Sequence, residues 1–334
     1  MTRRLGWTLW PCLVLVLMTS LLGGLLWGSA PGVGAGEVLR ALLGRGESRE
    51  IVNILVFELR LPRVLLLALA GAALAVTGAS LQAALHNPLA APGLLGVSSG
   101  ASLGAVLAYT SGAYLAWSWS VPAFSFLAAL GALLLVYTVA HAAGKPTTGT
   151  LILTGVAISG LFSAIVSLLL LATAKHRVHE IFAWLLGSAD NRSWEHVRFA
   201  LGPVLVGVFG LIICARLVDA LTLGEEHALG IGVDILRARA LIMVLVALAA
   251  GGAVSVVGPI GFVGLMVPHL VRALAGASAR RLLPAAALFG ASFLVLCDLL
   301  ARWLSRGSEI PVGVVTSLAG VVFFLVLLHR LRCR

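Results

Sequence analysis

The chain has 334 residues, 60% of them hydrophobic and 11% charged, with a mean hydropathy of +1.08 and a formal net charge of +10. Soluble domains hold roughly 45–50% apolar residues, so this composition excludes a soluble enzyme or binding module and requires an integral membrane protein. A positive balance can signal nucleic acid or anionic surfaces, but here the basic residues are spread between apolar runs. Membrane lipid is an expected partner, and nucleic acid is not.

In chain order, apolar runs long enough for a helix to cross the ~30 Å hydrocarbon core fall near 8–28, 63–83, 93–110, 121–142, 149–172, 199–215, 237–257, 264–278, 282–303 and 311–329. These ten spans predict an all-α polytopic membrane protein, one transmembrane domain over 1–334. The run at 264–278 is the shortest and reads as a half-helix or tilted remnant. The first run follows Arg3 and Arg4 and ends in Gly28, Ser29 and Ala30, the pattern of a cleaved signal peptide. Its apolar stretch is nearer a span than the 7–15 residues of a signal core. Cys12, Cys214, Cys297 and Cys333 lack CxxC spacing, so neither a disulfide framework nor a metal site is expected.

With both termini placed in the cytoplasm, 12 Lys and Arg fall inside and 11 outside. The positive-inside rule therefore barely separates the two orientations. Arg3 and Arg4 before the first span, the even number of spans and the basic tail HRLRCR favour both termini inside. The outward arginines then need a reason.

Several short motifs carry chemistry or fail to. AAGKPTTG (142–149) has Val139 where a phosphate loop needs glycine, and Pro146 where it needs Ser or Thr, so the chain holds no Walker motif. GVSSG (96–100) fits G-x-S-x-G but opens a membrane helix instead of a strand-to-helix elbow. Ion-driven carriers need ionisable groups within the bilayer, yet Asp298 is the only carboxylate well inside a predicted span. Arg302 at i+4 makes a structural ion pair the better reading. His269 reads as packing or capping. LGEEHALGIGVD (223–234) predicts a short helix with Glu225 and Glu226 in its first turn and glycines at its end. Apolar Ala228, Leu229 and Ile231 beside the acids suggest a docking surface.

A shift of 180 residues lays VLLLALAGAALAVTG (64–78) on VLVALAAGGAVSVVG (244–258), pairing Gly71 with Gly251, Gly78 with Gly258 and, further on, Pro88 with Pro268. The paired helices are spans two and seven, which cross in opposite directions. An inverted duplication follows, with halves near 53–172 and 233–330, unless the match reflects only small-residue helix packing.

Four blocks taken together, RLPRVLLLALAGAALAVTGASLQAALHNPLAAPGLLGVSSGASLGA, LGEEHALGIGVD, GPIGFVGLMVPHLVRAL and EIPVGVVTSLAGVVFF, closely resemble the permease subunits of type II ABC importers for iron-siderophores, haem and vitamin B12, over about 53–330. The resemblance implies ten helices per subunit, a homodimer with the substrate path on its two-fold axis, two cytoplasmic ATP-binding subunits carrying ATP and Mg, and a periplasmic substrate-binding protein, all in a bacterial inner membrane. No cofactor is expected on this chain. It further implies that Asn87 and Leu89 in HNPLAAPGLLG (86–96), with Thr147 and Thr148, form cytoplasmic gates. Glu225, Glu226, Ala228, Leu229 and Gly230 would then couple to the ATPase, and Arg60 and Arg63, with Arg302 or Arg306, would meet acidic residues of the binding protein. Lys175, His176, Arg177 and His179 would lie at the periplasmic mouth, where they suit an anionic chelate or haem propionates, although solvated interfacial charge explains them equally. An iron chelate or haem is the first substrate reading and cobalamin the second.

Overall fold

The computed structural model describes residues 2–27, 34–42, 50–142, 144, 147–305 and 310–332. The chain is an all-helical polytopic membrane protein. Helix α1 (Thr2–Leu26) and the short α2 (Ala35–Leu42) precede a continuous 35-residue rod, Glu50–Ala84. This rod comprises α3 (Glu50–Asn53), a π-helical stretch (Ile54–Arg60) and α4 (Leu61–Ala84). A 3₁₀ turn (Pro92–Leu95) leads into α5 (Val97–Thr110), α6 (Ala113–Ala116), α7 (Ser120–Ala142), α8 (Thr148–Leu171) and α9 (Lys175–Leu185). Then come α10 (Trp194–Ile213), α11 (Ala215–Thr222), α12 (Glu225–Gly230), α13 (Ile235–Val257), α14 (Val263–Ala275), α15 (Ala279–Leu304) and α16 (Val312–Arg332).

Among the described residues eight helices are long and apolar enough to cross a bilayer, and the shorter α5 and α14 occupy the other two expected positions. With 13 residues, α14 reaches only about 20 Å at 1.5 Å per residue, short of the hydrocarbon thickness. Irregular backbone at that depth must be covered by protein. The 258–262 link meets this demand: Gly258 turns at φ +75 against the Trp184 carbonyl, and the amide of Ser188 donates to the Val257 carbonyl at 2.8 Å.

Helices α4 and α13 form the core, each 78% buried over its most apolar window, against 17% for α1, 22% for α8 and 28% for α16. The outer helices therefore present Leu153, Leu161, Leu168, Leu318 and Leu325 to lipid or to another protein surface. Arg239, early in α13, donates to the Ala84 carbonyl at the end of α4, so the two core helices run antiparallel. Small residues set the approach of their neighbours. Gly71 lies on the backbone of Gly290 in α15, Gly78 on that of Gly264 in α14, and Gly104 on that of Phe124 in α7. Gly78→Val would drive a side chain into the Gly264 carbonyl and disturb the neighbouring bond from Gln82 to the same oxygen at 3.2 Å. Overpacking of this kind costs about 1–3 kcal/mol or more. Size-exclusion profiles of the detergent-solubilised variant should show a smaller folded peak and a lower melting temperature, with Gly78→Ala intermediate; an unchanged profile for Gly78→Val would contradict the close crossing.

The bundle has two polar ends. The near end holds the start of α1, the 85–96 turn, the finish of α7 and the start of α8, α11, α12, the α14–α15 link and the finish of α16. The far end holds the finish of α1, residues 34–42 and 50–60, α6, α9, the 186–193 loop and the start of α16, tied there by the Gly313 amide donating to the Gly187 carbonyl at 3.0 Å. Among the described residues the polar segments sort to the ends that the alternating spans require.

Candidate functional site

At the near end, α4 stops because His86 takes a left-handed conformation (φ +46) and proline follows at 88. The Asn87 side-chain oxygen accepts from the Leu89 amide at 2.9 Å, and the Asn87 carbonyl accepts from Ala90 at 3.0 Å. This turn, built on an Asn side chain, holds Leu89 outward, 54% exposed. Gly96 (φ +84) then starts α5. Thr147 caps α8 by accepting from the Thr150 amide at 3.3 Å, and Thr148 opens the helix. Gly155, two turns further on, rests on the Leu94 carbonyl. The two segments expected to form gates thus stand at one end of the bundle, joined through α8 and the 3₁₀ turn.

Beside them, α11 and α12 form a compact projection. Glycines at 224 (φ +102) and 232 (φ +81) bracket α12, and the Val233 amide closes onto the Ala228 carbonyl at 3.0 Å. Ala228 is fully buried and anchors the projection, so it offers no contact surface, unlike its expected role. Glu226 and Gly230 are exposed, as are Leu223, Leu229 and Ile231 at 61–65%. The Glu225 side chain lies outside the described residues.

The far end corrects the reading of three arginines. Arg60 is buried, and its Nη1 donates to the carbonyls of Leu25 (2.9 Å) and Leu26 (3.3 Å). Arg302 donates to the carbonyls of Gly24 (3.2 Å) and Trp27 (2.6 Å). Both serve the orphan carbonyls that end α1, where a cation also suits the helix dipole. Arg63 bridges two carboxylates, Asp298 at 2.7 Å and Asp190 at 2.6 Å, and Arg302 pairs with Asp298 at 3.0 Å, the i+4 ion pair expected from the sequence. An alternating chain Asp190–Arg63–Asp298–Arg302 results, with Asp298 1% exposed and Asp190 29%. These arginines are therefore spent on internal partners and are not free docking charges. Arg306 lies outside the described residues. Sequence reasoning missed Asp190 because nothing local links it to Arg63. Next to it, desolvation pushes the Arg192 guanidinium below its ordinary range, and Asp190 opposes that shift.

On α9, Arg177 sits over the Tyr114 ring at 5.8 Å and His179 is exposed. The side chains of Lys175 and His176 lie outside the described residues.

Against this geometry, the model of the FecCD transport family matches residues 13–330. The chain belongs to that family. Among curated relatives it is 43% identical over 290 residues to the uncharacterised ABC transporter permease protein YvrB of Bacillus subtilis, covering 85% of this chain and 81% of the relative. It is 42% identical over 278 residues to the vitamin B12 import system permease protein BtuC of Vibrio cholerae, covering 83% of each. A solved ABC transporter of the metal-chelate type, in an inward-facing conformation, superposes with a TM-score of 0.84 at 33% identity, covering 97% of this chain and 99% of the other.

In this FecCD chain the far-end pairing also answers the charge question. Among the described residues at that end, Arg60, Arg63 and Arg302 are withdrawn into the fold. Arg239 is likewise buried at the near end, and the described arginines left exposed are Arg216, Arg237, Arg280 and Arg281 at the near end against Arg40 and Arg198 at the far end. The near end joins a shaped turn, a projecting helix and exposed apolar side chains; the far end joins a sealed ion-pair network and the α9 face.

Proposed function

We propose that this FecCD protein is the membrane-spanning permease of an ATP-driven importer that carries a metal chelate inward, with its near end in the cytoplasm of a bacterial inner membrane. The apolar tip of α12, exposed beside the 86–96 turn, is the observation that carries the reading: Leu229 and Ile231 (61% and 65% exposed) need a partner, and the chain itself has no phosphate loop. Two separate ATP-binding subunits, which hold ATP and Mg, dock there. The weighting of accessible arginine toward the near end supports its cytoplasmic placement.

A second copy of the chain completes the path. The bare faces of α8 and α16 are available for it, and closed two-fold dimers are the commonest assemblies. Asn87 and Leu89, with Thr147 and Thr148, narrow the path at the near end. At the far end a substrate-binding protein docks, with Arg306 as its charge contact, and delivers cargo to the α9 face. The duplication expected from the sequence has support in the antiparallel core: Gly71 faces α15, while its counterpart Gly251 faces Phe126 and Ala129 of α7. An iron chelate or haem is the first cargo reading, on the basic α9 face; cobalamin is the second, from the 42% identity to a vitamin B12 permease.

Reconstitution with co-expressed neighbouring subunits should give vanadate-sensitive uptake of one member of a panel of ferric siderophores, haem and cobalamin. Uptake by the chain alone, driven by a proton or sodium gradient, would overturn the reading. In the same vesicles Leu89→Cys should cross-link between copies under mild oxidation, which needs Cα atoms within about 7 Å, and ATP should change the yield. Free maleimide labelling in every state, with no cross-link, would remove Leu89 from the gate.

A further inference from the structure

A cavity of about 230 Å³ opens at the near end behind the 86–89 turn. Its wall is shared by the end of α4 (Gln82), the turn (His86, Asn87), α11 (Thr222), α14 (Arg272) and the start of α15 (Leu282). It is smaller than the roughly 300–1,000 Å³ of sites for drug-sized ligands, and so suits a headgroup or small ion.

Its charge is one-sided. Arg272 is half buried and gives one N–H to the Gln82 side-chain oxygen at 3.1 Å. Gln82 is fixed in that orientation because its amide nitrogen donates to the Gly264 carbonyl at 3.2 Å. No carboxylate pairs with Arg272 among the described residues, whereas Arg63 and Arg302 both have acidic partners. The acid beside the cavity, Asp219, is already committed: its two oxygens accept from the Ala279 amide at 2.6 Å and the Ser278 hydroxyl at 3.1 Å. A second guanidinium, Arg239, is buried at the end of α4 just behind the same turn. A half-buried cation without a carboxylate counter-ion among the described residues, in a cavity whose wall is otherwise largely apolar, has a standing electrostatic demand for an anion.

We propose that this cavity is a phosphate-binding site in which Arg272 is the counter-ion. An oxygen-rich dianion or phosphodiester matches the planar fork of the guanidinium, whose N–H groups not given to Gln82 supply parallel donors. The inner-leaflet headgroup of an anionic phospholipid and free phosphate share this chemistry. The occupant touches both the 86–89 turn and α11, so its presence fixes the spacing between the turn and the projection that carries α12. The site stands on the cavity and its charges, whatever the chain transports.

The test uses the full-length chain in nanodiscs. One arm titrates inorganic phosphate into phosphatidylcholine discs, with chloride at matched ionic strength as the control. The other compares phosphatidylcholine discs with discs of equal parts phosphatidylcholine and phosphatidylglycerol, scored by native mass spectrometry for retained lipid. Saturable stabilisation by phosphate identifies free phosphate as the occupant, and retained phosphatidylglycerol identifies the lipid. Arg272→Gln should weaken whichever binding is seen by about ten- to a hundredfold, the loss of one or two charge-assisted hydrogen bonds. Ala83→Leu, a larger side chain on the same cavity wall, should do the same. Arg281→Gln, an exposed arginine at the same end, should leave it unchanged. Absence of both signals in the unmodified chain overturns the proposal without recourse to any variant, and an equal loss from Arg281→Gln overturns it as diffuse surface attraction.

Discussion

Asp298→Ala is expected to destabilise the folded chain by about 3–5 kcal/mol, the cost of leaving buried charge uncompensated. Asp298 is 1% exposed and pairs with Arg63 and Arg302. Removing it takes from both guanidiniums the buried carboxylate that they share. Asp298→Asn keeps the shape and one acceptor oxygen but loses the charge and sets an NH2 donor where the second oxygen accepted, so its loss should be smaller than that of the alanine variant though still substantial. Thermal unfolding in detergent, followed by the fluorescence of the far-end tryptophans, measures both. Docking charges held in solvent would behave otherwise, since exposed pairs contribute roughly 0–1 kcal/mol. A change of that size for Asp298→Ala would show that the network does not bear on stability.

Leu229→Asp combined with Ile231→Asp should leave the chain as stable as before and abolish its capture of the ATPase. Both side chains are more than 60% exposed, so the free chain has little packing to lose. In a docked complex they would occupy the partner's cleft, where truncating a central anchor costs at least about 2 kcal/mol and an added unpaired carboxylate costs more. A weakening of about thirtyfold or greater follows. Pull-down of the ATPase from co-expressing cells measures it, with the melting temperature of the variant as the control for folding. Full capture by a normally folded variant would move the coupling surface away from α12.

The spans were legible because run length is a direct constraint: a helix that must cross hydrocarbon needs about 20 apolar residues, and loops between such runs have little freedom in placement. Even the short α14 was visible, from the brevity of its run. The Asp298–Arg302 pair was legible because i+4 spacing on a helix fixes proximity before any tertiary structure is known. Arg60 and Arg63 were not. Their partners are the α1 carbonyls 34–35 residues earlier and Asp298 235 residues later, and no periodicity encodes contacts at such separations. An arginine near a span end looks the same in sequence whether it reaches toward water or turns back to cap a helix. Ala228 shows the limit at short range: helix formation at 225–230 was predictable, but which of its faces the α11 scaffold would cover was not.

The same 235-residue separation sets a schedule for synthesis. At about 5–20 residues per second, Arg63 leaves the ribosome roughly 10–50 s before Asp298 exists to neutralise it. For the first part of that interval, until Asp190 emerges, Arg63 has neither of its carboxylates, and afterwards it has only one of the two; long side chains relieve such a charge by reaching for the interface. The nascent α4 must therefore ride shifted toward the far surface, then settle to its final depth only as α15 enters and closes the network. The order of translation makes α15 the clasp of this protein: until it arrives, the helices made before it are inserted but not yet in register.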